Sequence, residues 1–300
     1  MKKLLFVFNP NAGKSTIKES LCDIIDIFTK GGYEVTAYPT QARLDGFQKI
    51  LEDASKYDLV VSSGGDGTMS ESIKGIMNSG ANVPIGYIPA GTVNDFAHSM
   101  DISKNMIDAA NAVVKGVPFA YDVGSFNGDY FCYVAAFGAF TDVSYETPQS
   151  TKNIFGHLAY LIEGVKRIKT LEAYDITVEH DGEVYRDDFI VGLISNTISI
   201  AGLSNLVAVG VVFDDGLFEV TLIKTPNSPL ELSKILNCII MKNLDPKYFY
   251  TFKTSRVRFT SEQEIKWTLD GESGGSYTVA DIEAMRQAVK IIVEPPKEKE

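Results

Sequence analysis

The sequence predicts an α/β domain built on a parallel sheet, followed by a mostly antiparallel β domain. Two observations carry this expectation. Over residues 1–123, short apolar runs alternate with stretches whose apolar residues recur at helical spacing, as in a parallel sheet covered on both faces. From about Gly124 the pattern turns β-rich, with the hairpin signal Asp181-Gly182 set between two candidate strands. The expected division is 1–123, 124–294 and a charged tail at 295–300.

The first run, Leu4–Phe8, follows two lysines as a signal peptide would. It stops after five residues at Asn9-Pro10, short of the roughly 7–15 apolar residues of a secretory segment, so it reads as a core strand. Thr16 and Glu19 form a candidate capping box. Ile17, Leu21, Ile24, Ile25 and Phe28 then make one helical face, which Gly31-Gly32 ends. Tyr33–Tyr38 reads as a strand, Phe47–Ala54 as a helix, Leu59–Val61 as a strand, Met69–Asn78 as a helix and Pro84–Ile88 as a strand. Helical segments near Val93–Ser99 and Ile107–Lys115 complete the first part. Ligands of such sheets gather at the carboxyl ends of the strands. The loops starting at Asn9, Thr40, Gly64 and Gly91 are therefore expected to converge on one edge.

In the second part, Asp175–Glu179 and Glu183–Val191 flank the hairpin signal, and Phe218–Ile223, Phe252–Phe259 and Ile265–Leu269 alternate apolar with polar residues. Helices are expected at Ile154–Ile168 and Leu230–Met241. The longest later apolar stretch, Tyr130–Phe140, falls far short of the ~20 residues that span a bilayer. A soluble or peripheral protein is expected, with its site in the cleft between the two domains.

A formal charge of −11 argues against non-specific nucleic-acid binding, and it requires any contact with an anionic membrane to use a local basic patch. Cys22, Cys132 and Cys238 are odd in number and widely spaced, which fits reduced thiols in the cytoplasm. With three His and no Cys/His cluster, no zinc site is expected.

Ser62-Ser63-Gly64-Gly65-Asp66-Gly67-Thr68 stands between a strand and a helix. Its glycines permit positive φ and close approach of another molecule, and the helix start directs N–H groups at a phosphate. Asp66 is unexpected there. A carboxylate 4 Å from a phosphate charge is repelled by on the order of 4 kcal/mol at an effective dielectric near 20, so the loop points to a nucleotide carried with Mg²⁺. Gly13-Lys14-Ser15 resembles the end of a P-loop, but Phe8 stands where that motif requires its first glycine; an Asn-Pro turn before a helix is the plainer reading. Asp270 and Glu272 end the alternating run Ile265, Trp267, Leu269. Either they share a strand face, where one acts as general base, or Asp270-Gly271 is a solvated hairpin turn. Asp214-Asp215-Gly216 by itself reads as a turn.

The segments Asn9-Pro10-Asn11-Ala12-Gly13, Gly64-Gly65-Asp66-Gly67-Thr68 and Gly91-Thr92-Val93-Asn94-Asp95, in this order and spacing, resemble the soluble diacylglycerol-kinase-like lipid kinases of bacteria. The likeness covers nearly the whole chain, through Ala37–Thr40, Tyr121–Gly124, Val143–Pro148, Phe213–Leu217 and Leu269–Glu272. Gly-Gly-Asp-Gly-Thr alone is shared with NAD kinases and phosphofructokinases; the full set is specific.

The resemblance implies a NAD kinase/diacylglycerol kinase-like fold with a β-sandwich second domain. It implies ATP held by Asn9, Pro10, Asn11, Ala12, Gly13, Thr40, Gly65, Asp66, Gly67, Thr68, Met69, Ser70, Glu71 and Thr92. It also implies transfer of the γ-phosphoryl group to a membrane-lipid hydroxyl, with diacylglycerol the expected acceptor and phosphatidic acid the product. The base falls in the Asp-Gly-Glu turn, at Glu272 with Asp270 as the alternative. A Mg²⁺ is implied at Asp215 with the carbonyls of Val212 and Leu217, although Val207–Val211 departs from the polar, proline-containing loop usual upstream. Asp122 is implied to join Asp66 around the catalytic Mg²⁺; by residue type alone it is equally a cap or core-edge Asp.

Ile154, Leu158, Leu161, Ile162, Val165 and Ile168 form a stripe beside Lys152, Lys166, Arg167 and Lys169. This is either a membrane-facing basic helix or a core helix with a solvated face. The expected setting is the cytoplasmic side of a membrane, held peripherally, and an edge strand of the β domain offers a homodimer contact. Two other classes stay open: a NAD-kinase-like enzyme acting on a soluble nucleotide, and a nucleotide-binding regulator without catalysis. The Asn-Pro-x-x-Gly turn opposes the first, and the joint presence of Asp66, Thr92, Asp270 and Glu272 opposes the second.

Overall fold

The structure, a computed structural model, describes residues 1–13, 17–139, 172–198, 210–241 and 243–295. Thr16 of the expected capping box, the segment Val143–Pro148, the expected helix Ile154–Ile168 with its lysines, and residues 207–209 lie outside the described residues. The chain divides into two compact units, Met1–Asp122 with Arg286–Glu300, and Val123–Met285.

The first unit is built on four strands, β1 (Lys2–Phe8), β2 (Tyr33–Pro39), β3 (Leu59–Gly64) and β4 (Ile85–Pro89). β1 pairs in parallel with both β2 and β3, and β3 in parallel with β4. The even residues of β1, Leu4, Phe6 and Phe8, join a core with Ile17, Ile24 and Phe28 of α1 (Ile17–Lys30) and Ala109, Ala110 and Val113 of α5 (Met106–Lys115). Leu5 and Val7 alternate with them and are also fully buried, so both sheet faces are covered. α2 (Asp45–Asp53) and α3 (Asp66–Ser79) pack closely, because a Cβ at Gly75 would stand 2.9 Å from Ile50. A short helix α4 (Asp95–Ser99) follows β4.

β5 (Val117–Phe126) carries the chain into the second unit. There, β6 (Asp129–Phe131), β7 (Val134–Gly138), β8 (Tyr174–His180), β9 (Glu183–Ser195), β10 (Phe218–Lys224), β11 (Phe249–Thr254), β12 (Arg256–Leu269) and β13 (Glu272–Val293) follow. The strands run in the order β11-β10-β9-β7-β12-β13 with antiparallel pairing throughout, and β8 bridges β9 and β12. Trp267 is fully buried at the core, with ring centroids 4.9 Å from Phe137 and 5.0 Å from Phe126. α6 (Pro229–Ile240) starts where the Ser228 hydroxyl accepts the Glu231 N–H. Asp181 and Gly182, with φ of 48° and 83°, make the left-handed two-residue turn that the hairpin signal specifies. Among the described residues no helix is long and apolar enough to cross a membrane.

Two expectations change. Phe252–Phe259 is not one strand. Thr254 Oγ1 donates to the Arg256 carbonyl at 2.8 Å and accepts the Arg256 N–H at 3.2 Å, and this link around Ser255 separates β11 from β12. Sequence alternation runs through the break because no Gly or Pro marks it. The segment from Arg286 groups with the first unit rather than with residues 124–285. Val289 and Ile291 are buried, and Ile291 pairs in parallel with Ile85, a long-range partner that local alternation does not reveal.

Candidate active site

In the first unit β2 lies on one side of β1 and β3 on the other. The chain thus reverses direction across the sheet at β1/β3, the place where open parallel sheets bind ligands. The loops leaving these strands meet there. Asn9 N–H donates to Ser63 O at 2.9 Å, Ala90 N–H to Gly64 O at 2.7 Å and Thr40 N–H to Phe8 O at 2.9 Å. The convergence of the loops starting at Asn9, Thr40, Gly64 and Gly91 is therefore direct contact.

The glycines are required for a different reason from the one expected. None of Gly64, Gly65 and Gly67 has positive φ. A Cβ at Gly64 would lie 2.2 Å from Thr68 Oγ1, and one at Gly91 would lie 2.5 Å from Gly65 Cα. Two backbones touch, and only hydrogen fits. Gly13, at φ 53°, closes on the same point, since its Cβ would lie 2.4 Å from Ala90 O. Gly67 is the exception, with no atom within 4 Å of a Cβ placed there. Helix α3 begins at Asp66, three residues before the expected Met69, so Gly67 and Thr68 stand in its first turn. Met69 and Ser70 are buried.

The polar residues of these loops have internal tasks. Asn9 Oδ1 accepts Asn11 N–H at 2.9 Å and Ala12 N–H reaches Asn9 O, so Asn9-Pro10-Asn11-Ala12 is a closed turn. Glu71 Oε1 accepts Leu44 N–H at 2.9 Å, which fixes the loop after Thr40. Asn94, in left-handed backbone, accepts Gly91 N–H and donates to Gly91 O, each at 2.9 Å, and clamps the loop that carries exposed Thr92. Sequence reasoning quoted Asn94 within its motif without giving it a task; the signal for one is the tolerance of Asn for positive φ. Asp66, expected to face a cation, accepts Phe96 N–H on its Oδ1 at 3.0 Å, holding the start of α4. Asp122 is fully buried in β5, and its Oδ1 accepts Gln287 N–H at 2.6 Å.

In the second unit the register gathers the candidates at one end of the sheet. Val134 and Glu219 each oppose Ser195, Leu269 opposes both Ala135 and Glu272, and Glu219 opposes Lys253. Asp270 and Glu272 do not share a strand face. Asp270 and Gly271, at φ 52° and 82°, form the two-residue turn linking β12 to β13. Nor is Asp270 solvated. It is buried, and its carboxylate accepts the N–H groups of Cys132 at 2.7 Å, Tyr133 at 2.9 Å and Val134 at 3.1 Å, a backbone nest filled by an internal anion. Glu272 is exposed.

Ahead of β10, Asp215 Oδ1 accepts Leu217 N–H at 2.9 Å, the turn that residue type alone indicated, and Val212 is exposed. Glu219, unnoticed in the sequence, is 2% exposed; its Oε1 lies 2.8 Å from Lys253 Nζ and its Oε2 has no hydrogen-bond partner. Burial pushes the Glu219 carboxyl up against the pull of Lys253, and Asp215 adds to the rise. An acid between Phe218 and Val220 in a buried strand was its signal.

Among the described residues no three His, Cys, Asp or Glu side chains gather as a metal cage. Asp66 keeps a second carboxylate oxygen beyond the bond to Phe96, and Glu219 Oε2 has no hydrogen-bond partner.

A nucleotide-type glycine cradle on a parallel sheet, followed by an antiparallel unit with an Asp-Gly-Glu turn, defines an enzyme of the kinase class. Residues 3–126 match the diacylglycerol kinase catalytic domain, and residues 135–293 match the YegS C-terminal NAD kinase beta sandwich-like domain. The chain is 29% identical to a diacylglycerol kinase of Bacillus subtilis, covering 100% of this chain and 98% of that one. It is 33% identical to a diacylglycerol kinase of Staphylococcus saprophyticus over 91% and 90% of the two chains. A crystal structure of a diacylglycerol kinase from Bacillus anthracis shares the fold, with TM-score 0.77, 22% identity, and coverage of 98% of this chain and 97% of that one. The chain belongs to the diacylglycerol kinase family, a family of lipid kinases, as its motifs led us to expect.

Proposed function

We propose that this protein transfers the γ-phosphoryl group of ATP to the hydroxyl of a membrane lipid, with diacylglycerol as acceptor and phosphatidic acid as product, in a Mg²⁺-dependent reaction at the cytoplasmic face of a membrane. The observation that carries the reading is the cradle: a Cβ at Gly91 would lie 2.5 Å from Gly65 Cα, so the two loops meet backbone to backbone, at the strand ends where α3 presents its first-turn N–H groups.

In this reading Asn9, Pro10, Asn11, Ala12, Gly13, Thr40, Gly65, Gly67, Thr68, Met69, Ser70, Glu71 and Thr92 enclose ATP, mostly through backbone N–H groups and shape. Asp66 and Asp122 would hold Mg²⁺, and Asp215 with the carbonyls of Val212 and Leu217 a second one. Bound Mg²⁺ would neutralise phosphate charge, which is most of what phosphoryl transfer asks of a protein beyond positioning. Glu272 accepts the proton of the lipid hydroxyl as that oxygen bonds to the γ-phosphorus. The bond from phosphorus to the β,γ-bridging oxygen breaks, and ADP leaves with the electron pair. Asp270 is supported as the anchor of the turn rather than as the base, because its oxygens already accept three backbone N–H groups.

The test is an assay with γ-labelled ATP and Mg²⁺ against diacylglycerol micelles, ceramide or sphingosine, and NAD in parallel. Label in phosphatidic acid is expected. Label only in NAD, or in no acceptor, would overturn the proposal.

A further inference from the structure

We propose that Asp45 is a positioning residue of the nucleotide site: its carboxylate, with that of Glu71, holds the Thr40–Leu44 loop in the shape that receives ATP before ATP arrives. The inference rests on the reading of Thr40 and Glu71 as part of that site, and it assigns the loop's geometry to a residue outside it. Asp45 Oδ1 accepts the Tyr38 hydroxyl at 2.8 Å, and Oδ2 accepts Gln41 N–H at 2.7 Å. Thr40 N–H is held by Phe8 O at 2.9 Å, and Leu44 N–H by Glu71 Oε1 at 2.9 Å. The N–H groups of Thr40, Gln41 and Leu44 are thus fixed to β1, α2 and α3 in turn. Gly46 completes the arrangement, since a Cβ there would lie 3.4 Å from Glu71 Oε2 and 3.5 Å from Thr40 Cγ2.

Helix formation does not call for this arrangement. Leu44 stands before α2 with no side-chain cap, in left-handed backbone at φ 63° and ψ 3°. Ser, Thr, Asp or Asn would cap a helix from that position, and a bulky side chain is seldom found in that conformation. The Leu44 side chain is 52% exposed, so no buried contact offsets the departure. Asp45 lies in the first turn, where an acid ordinarily serves the start of its own helix; its oxygens reach back to Tyr38 and Gln41 instead. Such departures from local preference persist where the surroundings over-determine the backbone, as at ligand clamps. Here the groups that do so are Asp45 and Glu71, and Glu71 belongs to α3, the helix whose first turn is read as facing phosphate. A loop that held its binding shape only a tenth of the time would bind ATP about tenfold more weakly.

The experiment compares full-length wild type, D45A, D45N, Y38F and D53N. It reads the Kd of Mg²⁺-ATP by calorimetry, KM against kcat with whichever acceptor wild type labels, and trypsin cleavage after Arg43 in the ligand-free protein. Arg43 is the only Lys or Arg between Lys30 and Lys49, so this cut reports the loop, and its rate follows the open population. D45A is expected to raise Kd and KM for ATP at least about tenfold. Its kcat should stay within about threefold and the KM of the acceptor should not move, while cleavage should quicken at least about tenfold. Y38F keeps the Gln41 bond and should shift the same readouts less. D53N breaks the pairs with Lys49 and Lys56 at the far end of the same helix and should shift none of them. A D45A Kd equal to that of wild type, or a D53N Kd raised as far as that of D45A, would overturn the proposal. Should D45A fail to fold, D45N, in which an NH₂ group faces one of the two donors, is held to the same outcomes. Wild type that labels no acceptor would sink the kinase reading, and the ATP Kd alone would then decide this proposal. Wild type that binds no ATP would remove the nucleotide site and this proposal together.

Discussion

Asp270 Oδ2 accepts the backbone N–H of Cys132 at 2.7 Å across 138 positions of sequence, and Oδ1 takes the next two N–H groups. The side chain pins the β12–β13 turn to the start of β7. In D270N an NH₂ group must face at least one of these donors. The expected loss is about 2–4 kcal/mol of stability, in the range for a buried, charge-assisted bond left unmade. It is measured as a lower denaturation midpoint, and an unchanged midpoint would refute the anchoring role.

Glu272 should behave oppositely. It is exposed, so E272Q is expected to leave Tm within about 1 °C of wild type while kcat falls by roughly 10²–10⁴, the usual contribution of a general base. A kinetic assay paired with a melt of the same preparation decides it. Loss of stability without loss of turnover would exchange the roles of the two acids.

Gly67 separates folding from nucleotide binding. A Cβ there meets no atom within 4 Å, and the residue lies in the first turn of α3. G67A is therefore expected to stabilise the ligand-free protein by about 0.5–1 kcal/mol through helix propensity, and to weaken ATP binding at least about tenfold by obstructing phosphate approach. Calorimetric titration of ATP beside thermal melts checks both. Undiminished affinity would move the phosphates away from this turn.

The Arg258–Asp281 pair gives a pH signature. Arg258 Nε and Nη2 donate to the two Asp281 oxygens at 2.7 and 2.8 Å. The guanidinium holds the carboxyl below its ordinary value of 3.8. The native state thus binds this proton less tightly than the unfolded chain does. The contribution is fully present above the ordinary value and is lost as pH falls through the lower, folded one. The pair is partly exposed, so solvent screening keeps its worth small. Wild type should exceed R258M in stability at pH 6, and the gap should narrow progressively as pH falls below 3.8; a constant gap would contradict the sign.

Much of the first unit was legible because β1, β3 and β4 are buried along continuous runs and read as apolar stretches, as in Leu4–Phe8 and Leu59–Val61. The meeting of the Asn9, Thr40, Gly64 and Gly91 loops follows from strand–helix alternation alone. The reason for the glycines did not follow, since contact between Gly65 and Gly91 is a tertiary fact and positive φ a local one. The Asp-Gly-Glu end was open between a strand face and a hairpin turn, and the turn prevailed without its solvation, since no local pattern could show that Cys132–Val134 would supply the donors for Asp270. Glu219 and Lys253 escaped notice because pairing across strands depends on register, which alternation does not specify.

The first unit is discontinuous along the gene. A recombinant fragment stopping at Asp122 would lack Val289 and Ile291, leaving the β4 side of its sheet without the neighbour that shields Ile85. Pieces of the first unit for biophysics should therefore be made by grafting the 286–293 end of β13 behind residue 122 through a short linker, rather than by simple truncation.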